Sequence, residues 1–154
     1  MVAALLHDIG QVSFGHDLEA ACPHLFDHEA IVEKLLEEKG WSGPSLREVI
    51  LAEWSQVEIP RVLNILRKKS SERPIDGVAE DIIGGPIDAD KLDYLQRDSI
   101  GCGVTYGLGI DALRFLQALS VDVQTHATRC RVALAYKAKA SAAIEAVLLA
   151  RYQM

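Results

Sequence analysis

Only one part of the chain carries the two-residue alternation of a β-strand. Val121-Asp-Val-Gln-Thr125 alternates apolar and polar, and Cys130-Arg-Val-Ala-Leu134 answers it a few residues later. Two such runs separated by a short connection predict one small hairpin near 121–135. Everywhere else the apolar residues recur at helical spacing. Ile31 and Leu35, with Val32 and Leu36, form one buried stripe. The chain therefore reads as mainly α, a helical bundle with a single β element.

The punctuation between helices agrees. Val2 to Leu6 reads as the last turns of a helix. Asp27 suits the N-cap of a helix from about His28 to Lys39, with Phe26 and Ile31 as its staple and Gly40 as its stop. Ser45-Leu-Arg-Glu48 is a capping box that opens a helix through Trp54. Pro60 fits the first turn of a helix through Lys69. Ser70 to Gly77 is a polar loop, followed by a short helix over Val78 to Ile83 that ends at Gly84-Gly85. A further helix runs from Asp88 to Ser99 with Leu92 and Leu95 inward, and Gly101 to Gly109 is a glycine-rich turn region. Asp111 caps a helix through Leu119, and Lys137 to Met154 reads as one long helix.

A chain of 154 residues suffices for one domain with a core. No apolar run is long enough to span a bilayer, and the start lacks the basic flank of a secretory signal. Cys22, Cys102 and Cys130 form no closely spaced pair and read as reduced thiols of a cytoplasmic protein. A formal net charge of −6, with Arg67-Lys68-Lys69 as the one dense basic run, gives no strong nucleic-acid signal.

Two polar concentrations stand out. Four of the 5 histidines (His7, His16, His24 and His28) fall in the first fifth of the chain. His7 is followed directly by Asp8 at the end of an apolar helix, where both side chains can turn towards one point. A neutral imidazole with a carboxylate suits a divalent first-row metal. A cationic histidine at a helix C-terminus is the ordinary alternative. The second concentration is Asp88, Asp90, Asp93 and Asp98, with Lys91 and Arg97 among them. Asp90, Tyr94 and Arg97 share one helical face. A tyrosine in that stripe sets it apart from a merely solvated surface.

The stretches ALLHDIGQVSFGH (Ala4 to His16), FDHE (Phe26 to Glu29) and IDADKLDYLQRDSIGCGVTYG (Ile87 to Gly107) resemble the HD-domain phosphohydrolases. Among these they are most similar to the deoxynucleoside triphosphate triphosphohydrolases, the dGTPase-like enzymes and their SAM-and-HD-domain relatives. The resemblance covers nearly the whole chain and implies a single, partial HD domain over 1–154. It implies metal-dependent hydrolysis of a deoxynucleotide substrate to deoxynucleoside plus triphosphate. The divalent metal could be Mn, Mg, Fe, Co, Ni or Zn, and by family analogy the protein is a homo-oligomer.

Position by position, the resemblance makes His7, Asp8 and Asp90 metal ligands, with Asp8 also contacting the attacking water. His16 and His28 match histidines near the scissile phosphate, His16 being the candidate acid for the leaving group. Glu19 matches an acidic partner of such a histidine. Lys91, Tyr94 and Asp98 match contacts to the nucleotide's phosphates and sugar. Gln11 stands where many relatives carry another histidine; it can donate a hydrogen bond to phosphate but cannot shuttle a proton.

The family's first metal-ligating histidine precedes the His-Asp pair by a few dozen residues, whereas His7 has six residues before it. The family also continues past Met154. The resemblance therefore implies an internal fragment that binds metal weakly, turns over little substrate and self-associates through exposed apolar surface. The competing expectations are an HD phosphohydrolase for another nucleotide or phosphate ester, and a non-catalytic HD-fold regulatory module.

Overall fold

The computed structural model describes residues 1–12, 21–22, 28–39, 43–68, 73–126 and 129–154. Among the described residues the chain is mainly helical with one two-stranded antiparallel sheet. It divides into two compact units, Met1–Lys69 and Ser70–Met154.

The first unit contains α1 (Val2–Leu6), α2 (His28–Glu37), α3 (Leu46–Glu53) and α4 (Ile59–Leu66). α1 packs on α4, and α2 on α3. Among its described residues the buried apolar ones are Val2, Ala3 and Leu6, Val32 and Leu36, Ile50, and Ile59, Val62 and Leu66. Val32 and Leu36 lie deepest in the expected α2 stripe, while Ile31 and Leu35 are half-buried beside them. The capping box of α3 is complete: Ser45 Oγ accepts the Glu48 N–H at 3.2 Å, and Glu48 Oε2 accepts the Ser45 N–H at 2.7 Å. Pro60 sits in the first turn of α4 as expected. That helix stops at Leu66 rather than Lys69, because Lys68 has turned left-handed with φ 48°. Asp27, Phe26 and Gly40 lie outside the described residues.

The second unit contains α5 (Asp76–Gly84), α6 (Ala89–Cys102), α7 (Ala112–Gln117), β1 (Leu119–His126), β2 (Arg129–Tyr136), a 3-10 turn (Ala138–Ala140) and α8 (Ser141–Gln153). Leu95, Phe115 and Val147 form the centre of its core, joined by Ile87, Ile110, Ala143 and Ala150. α6 and α7 both pack on α8, and β2 lies against α5.

Several boundaries differ from the sequence expectation. α5 begins two residues before Val78. α6 runs on through Gly101 to Cys102 and ends in a Schellman motif. There Gly103 takes φ 68°, its N–H bonds the Ile100 carbonyl, and the Val104 N–H reaches the Ser99 carbonyl at 3.0 Å. α7 stops at Gln117, since Leu119 already pairs with Tyr136 in the hairpin. The expected final helix begins as a 3-10 turn.

Candidate functional site

In the first unit the site residues follow from how α1 ends. His7 is its C-cap, still with helical backbone angles (φ −59°, ψ −35°), and the turn after it is closed by the Gln11 N–H bonding the Asp8 carbonyl at 2.9 Å. His7 Nδ1 lies 2.9 Å from the Ala4 carbonyl. A carbonyl only accepts, so Nδ1 carries the proton. His7 Nε2 lies 3.2 Å from Asp8 Oδ2. Neighbouring residues thus aim at one place, which the relaxed end of a short helix permits.

This geometry constrains the chemistry. With Nδ1 protonated, a neutral imidazole presents a lone pair at Nε2, facing a carboxylate that also only accepts. Two such acceptors at this distance attract only if a proton on Nε2 or a cation lies between them. The Nδ1–H bond to a backbone carbonyl is the contact that fixes ring orientation in metal-ligating histidines. The donor set, one imidazole nitrogen and one carboxylate oxygen, fits a divalent first-row cation. His16 and Glu19 lie outside the described residues. His28 is described only as the first residue of α2.

In the second unit, Asp90 stands exposed in the first turn of α6. Tyr94 is half-buried and packs against the core cluster. Arg97 pairs with Asp93 at 3.1 Å and lies 3.7 Å from Asp98. Lys91 is mostly buried, with its ammonium on the Asp88 carboxylate and 3.4 Å from the Gly85 carbonyl.

Sequence reasoning missed a second polar cluster, built on α5 and β2. Arg131 donates to both oxygens of Asp81, at 2.6 and 3.2 Å, and to the Gly77 carbonyl at 3.1 Å. Glu80, almost fully buried, lies 3.4 Å from the same guanidinium. Asp81 first, and Glu80 after it, raise the Arg131 pKa, against the opposing effect of burial. The one available signal was Arg131 inside the otherwise apolar run Cys130–Tyr136.

These features define a mainly α protein with a small antiparallel hairpin and a histidine–carboxylate pair at a helix end. No helix among the described residues is long and apolar enough to cross a membrane. No family model matches the chain. It is similar to Uncharacterized protein MJ1154 of Methanocaldococcus jannaschii, 35% identical over 153 residues that make up 99% of this chain and 28% of that protein. It is likewise similar to Uncharacterized protein YwfO of Bacillus subtilis, 32% identical over 166 residues, covering 100% of this chain and 31% of the relative. A third relative, Uncharacterized protein MG461 homolog of Mycoplasma pneumoniae, is 28% identical over 115 residues, 70% of this chain and 25% of its own length. The chain thus spans less than a third of the length of these curated relatives.

Proposed function

We propose that the chain carries catalytic residues of an HD-type, metal-dependent phosphohydrolase that splits deoxynucleoside triphosphates into deoxynucleoside and triphosphate. The observation that carries this reading is the His7–Asp8 pair. Its ring is oriented by the Ala4 carbonyl, and two acceptor atoms face each other 3.2 Å apart, an arrangement that calls for a shared positive charge. The resemblance of the histidine and aspartate motifs to the family supplies the rest of the ligand set, Asp90.

A divalent cation held by His7, Asp8 and Asp90 would acidify a bound water and polarise the α-phosphate. In this reading water's oxygen forms a bond to the α-phosphorus and gives up its proton to solvent, and the bond from phosphorus to the 5′-oxygen breaks. His16 hands its proton to that departing oxygen, and Glu19 holds His16 in the protonated form. His28 and Gln11 donate hydrogen bonds to phosphate oxygens, and Tyr94 and Asp98 contact the sugar end. The reading includes a cytoplasmic protein that works as a homo-oligomer.

The test is product identity rather than rate. The 154-residue chain is incubated with each deoxynucleoside triphosphate and Mn²⁺, and the released phosphates are separated by ion chromatography. Triphosphate, lost in Asp90→Asn, is the expected product. Pyrophosphate, orthophosphate or no release at all would sink the reading.

A further inference from the structure

The hairpin has one covered edge and one bare edge. On β2 the Leu134 and Val132 N–H groups point away from β1, to Asp81 Oδ2 at 2.8 Å and to the Pro74 carbonyl at 2.9 Å. Their cross-strand partners are Val121 and Val123. Opposite residues of an antiparallel pair either exchange hydrogen bonds or both turn their backbone groups outward. Val121 and Val123 therefore aim N–H and C=O at the far edge of β1, and Thr125, two residues on, does the same. All residues from 121 to 125 are exposed, Val121 by 58% and Val123 by 61%. Among the described residues no backbone group bonds that edge. Edge strands are usually blunted by lysine, proline, a bulge or a covering element. β1 pairs with β2 in unbroken register from Leu119 to His126 and contains neither lysine nor proline.

We propose that this edge pairs antiparallel with β1 of a second copy of the chain, about a two-fold axis at Val123. The side chains select that occupant and that register. With the axis at Val123 the outward backbone groups meet: Val123 lies opposite Val123 of the second copy, and Val121 opposite Thr125. Asp122 falls opposite Gln124, whose amide donates to its carboxylate. Moving the axis to Asp122 would set two carboxylates face to face, which opposite strand positions disfavour. The axis at Val123 also keeps the pairing within the exposed stretch 121–125. One face of the resulting four-stranded sheet carries a continuous row of valines, Val132 and Val123 from each copy. The contact is isologous, so it closes at two copies. This inference goes beyond the hydrolase reading and does not depend on it.

The experiment uses the full 154-residue chain. Sedimentation at rising concentration should show a monomer–dimer equilibrium. Val123→Pro removes an outward N–H and no bond to β2, so it should keep the helical circular dichroism and raise the dimer Kd about tenfold or more. Gln124→Glu should also raise the dimer Kd about tenfold, because the new carboxylate opposes Asp122 of the second copy. Within one copy it faces Arg131 across the hairpin, so the melting temperature should not fall. Cross-linking reads the register, in a chain carrying Cys22→Ser, Cys102→Ser and Cys130→Ser. There Val123→Cys should form a disulfide dimer under mild oxidation, since directly opposite Cα atoms about 5.5 Å apart suit the bond. Asp122→Cys, placed opposite Gln124 instead, should cross-link far more slowly. A parent that stays monomeric up to its solubility limit overturns the proposal. So does a dimer unweakened by both Val123→Pro and Gln124→Glu, or Asp122→Cys cross-linking as fast as Val123→Cys. If Val123→Pro unfolds the chain, Gln124→Glu and the cysteine pair still decide.

Discussion

The carboxylate of Asp81 closes the outer edge of the hairpin: its Oδ2 accepts the Leu134 N–H at 2.8 Å, where a third strand would otherwise supply a carbonyl. The Val132 N–H on the same edge bonds the Pro74 carbonyl at 2.9 Å. Since Asp81 also holds Arg131, one side chain satisfies a strand N–H and a guanidinium together. A two-stranded hairpin is marginal alone in water, so its anchoring to α5 sets whether it persists.

Asp81→Ala should therefore destabilise the second unit by about 2–4 kcal/mol, since it leaves the Leu134 N–H without its acceptor and the partly buried Arg131 guanidinium with only the Gly77 carbonyl and Glu80. Asp81→Asn keeps an acceptor for Leu134 and should cost visibly less. Urea unfolding of the two variants side by side checks the order.

Gly107 should be irreplaceable. A Cβ there would fall 1.8 Å from the Leu95 carbonyl oxygen and 2.6 Å from Ser99 Oγ, which accepts the Gly107 N–H at 2.8 Å. Backbone cannot move aside cheaply, so Gly107→Ala should cost about 3 kcal/mol or more by loss of packing on α6. Gly109 has nothing within 4 Å of its would-be Cβ. Gly109→Ala should be neutral or stabilising by up to about 1 kcal/mol. Thermal denaturation of both reads the contrast.

That contrast also marks what a sequence discloses. Ser45 with Glu48, and Asp111 with the amide of Arg114, were legible because capping acts over three residues. The glycines from Gly103 to Gly109 were legible as a turn region, whereas Gly101, expected to open that turn, lies inside α6. Which of them ends α6 was not, because that depends on the Schellman bonds of Gly103 and Val104. The hairpin's existence followed from alternation, but its ends at Leu119 and Tyr136 are set by pairing. Arg131 and Asp81 are 50 positions apart and meet only in the fold. The His7–Asp8 convergence was legible because the two are neighbours. The pairing of Lys91 with Asp88 and Gly85 was not, because composition does not say which of several carboxylates a cation meets.

Acid should weaken α3. The Ser45 N–H, donating to the Glu48 carboxylate, lowers the Glu48 pKa below its ordinary value, against a smaller opposing effect of burial. A carboxyl whose folded pKa lies below its unfolded value stabilises above the unfolded pKa, about 4.3, and loses that contribution as pH falls through the folded one. Glu48→Gln should flatten this part of the stability–pH curve between about pH 5 and 3, as followed by circular dichroism in urea.

Base should act on Tyr136. Burial first, then the charges of Asp81 and Asp88, raise its pKa above the ordinary phenol value. The folded state therefore prefers the neutral phenol. That stabilisation is complete below the unfolded pKa, about 10, and disappears as pH rises through the folded one. Tyr136 stacks obliquely on Phe115 with ring centroids 5.0 Å apart, a contact phenylalanine can keep. Tyr136→Phe should thus match the parent at pH 7 and become the more stable of the two above about pH 11. In the parent, absorbance at 295 nm should show one tyrosine titrating late, and that step should vanish in the variant.

His7 and Asp8 give the sharpest test of the cation reading. If a metal ion is what holds their acceptors together, His7→Ala and Asp8→Asn should each weaken Mn²⁺ binding by about 10–100-fold, as read by electron paramagnetic resonance of the free ion. Asp93→Asn is the control. Asp93 is exposed and pairs with the equally exposed Arg97, so its loss should leave Mn²⁺ affinity unchanged. If the Nε2 and Oδ2 atoms instead share a proton, all three variants will bind Mn²⁺ alike. The pair would then be an ordinary histidine–aspartate ion pair at a helix end, without a hydrolytic role.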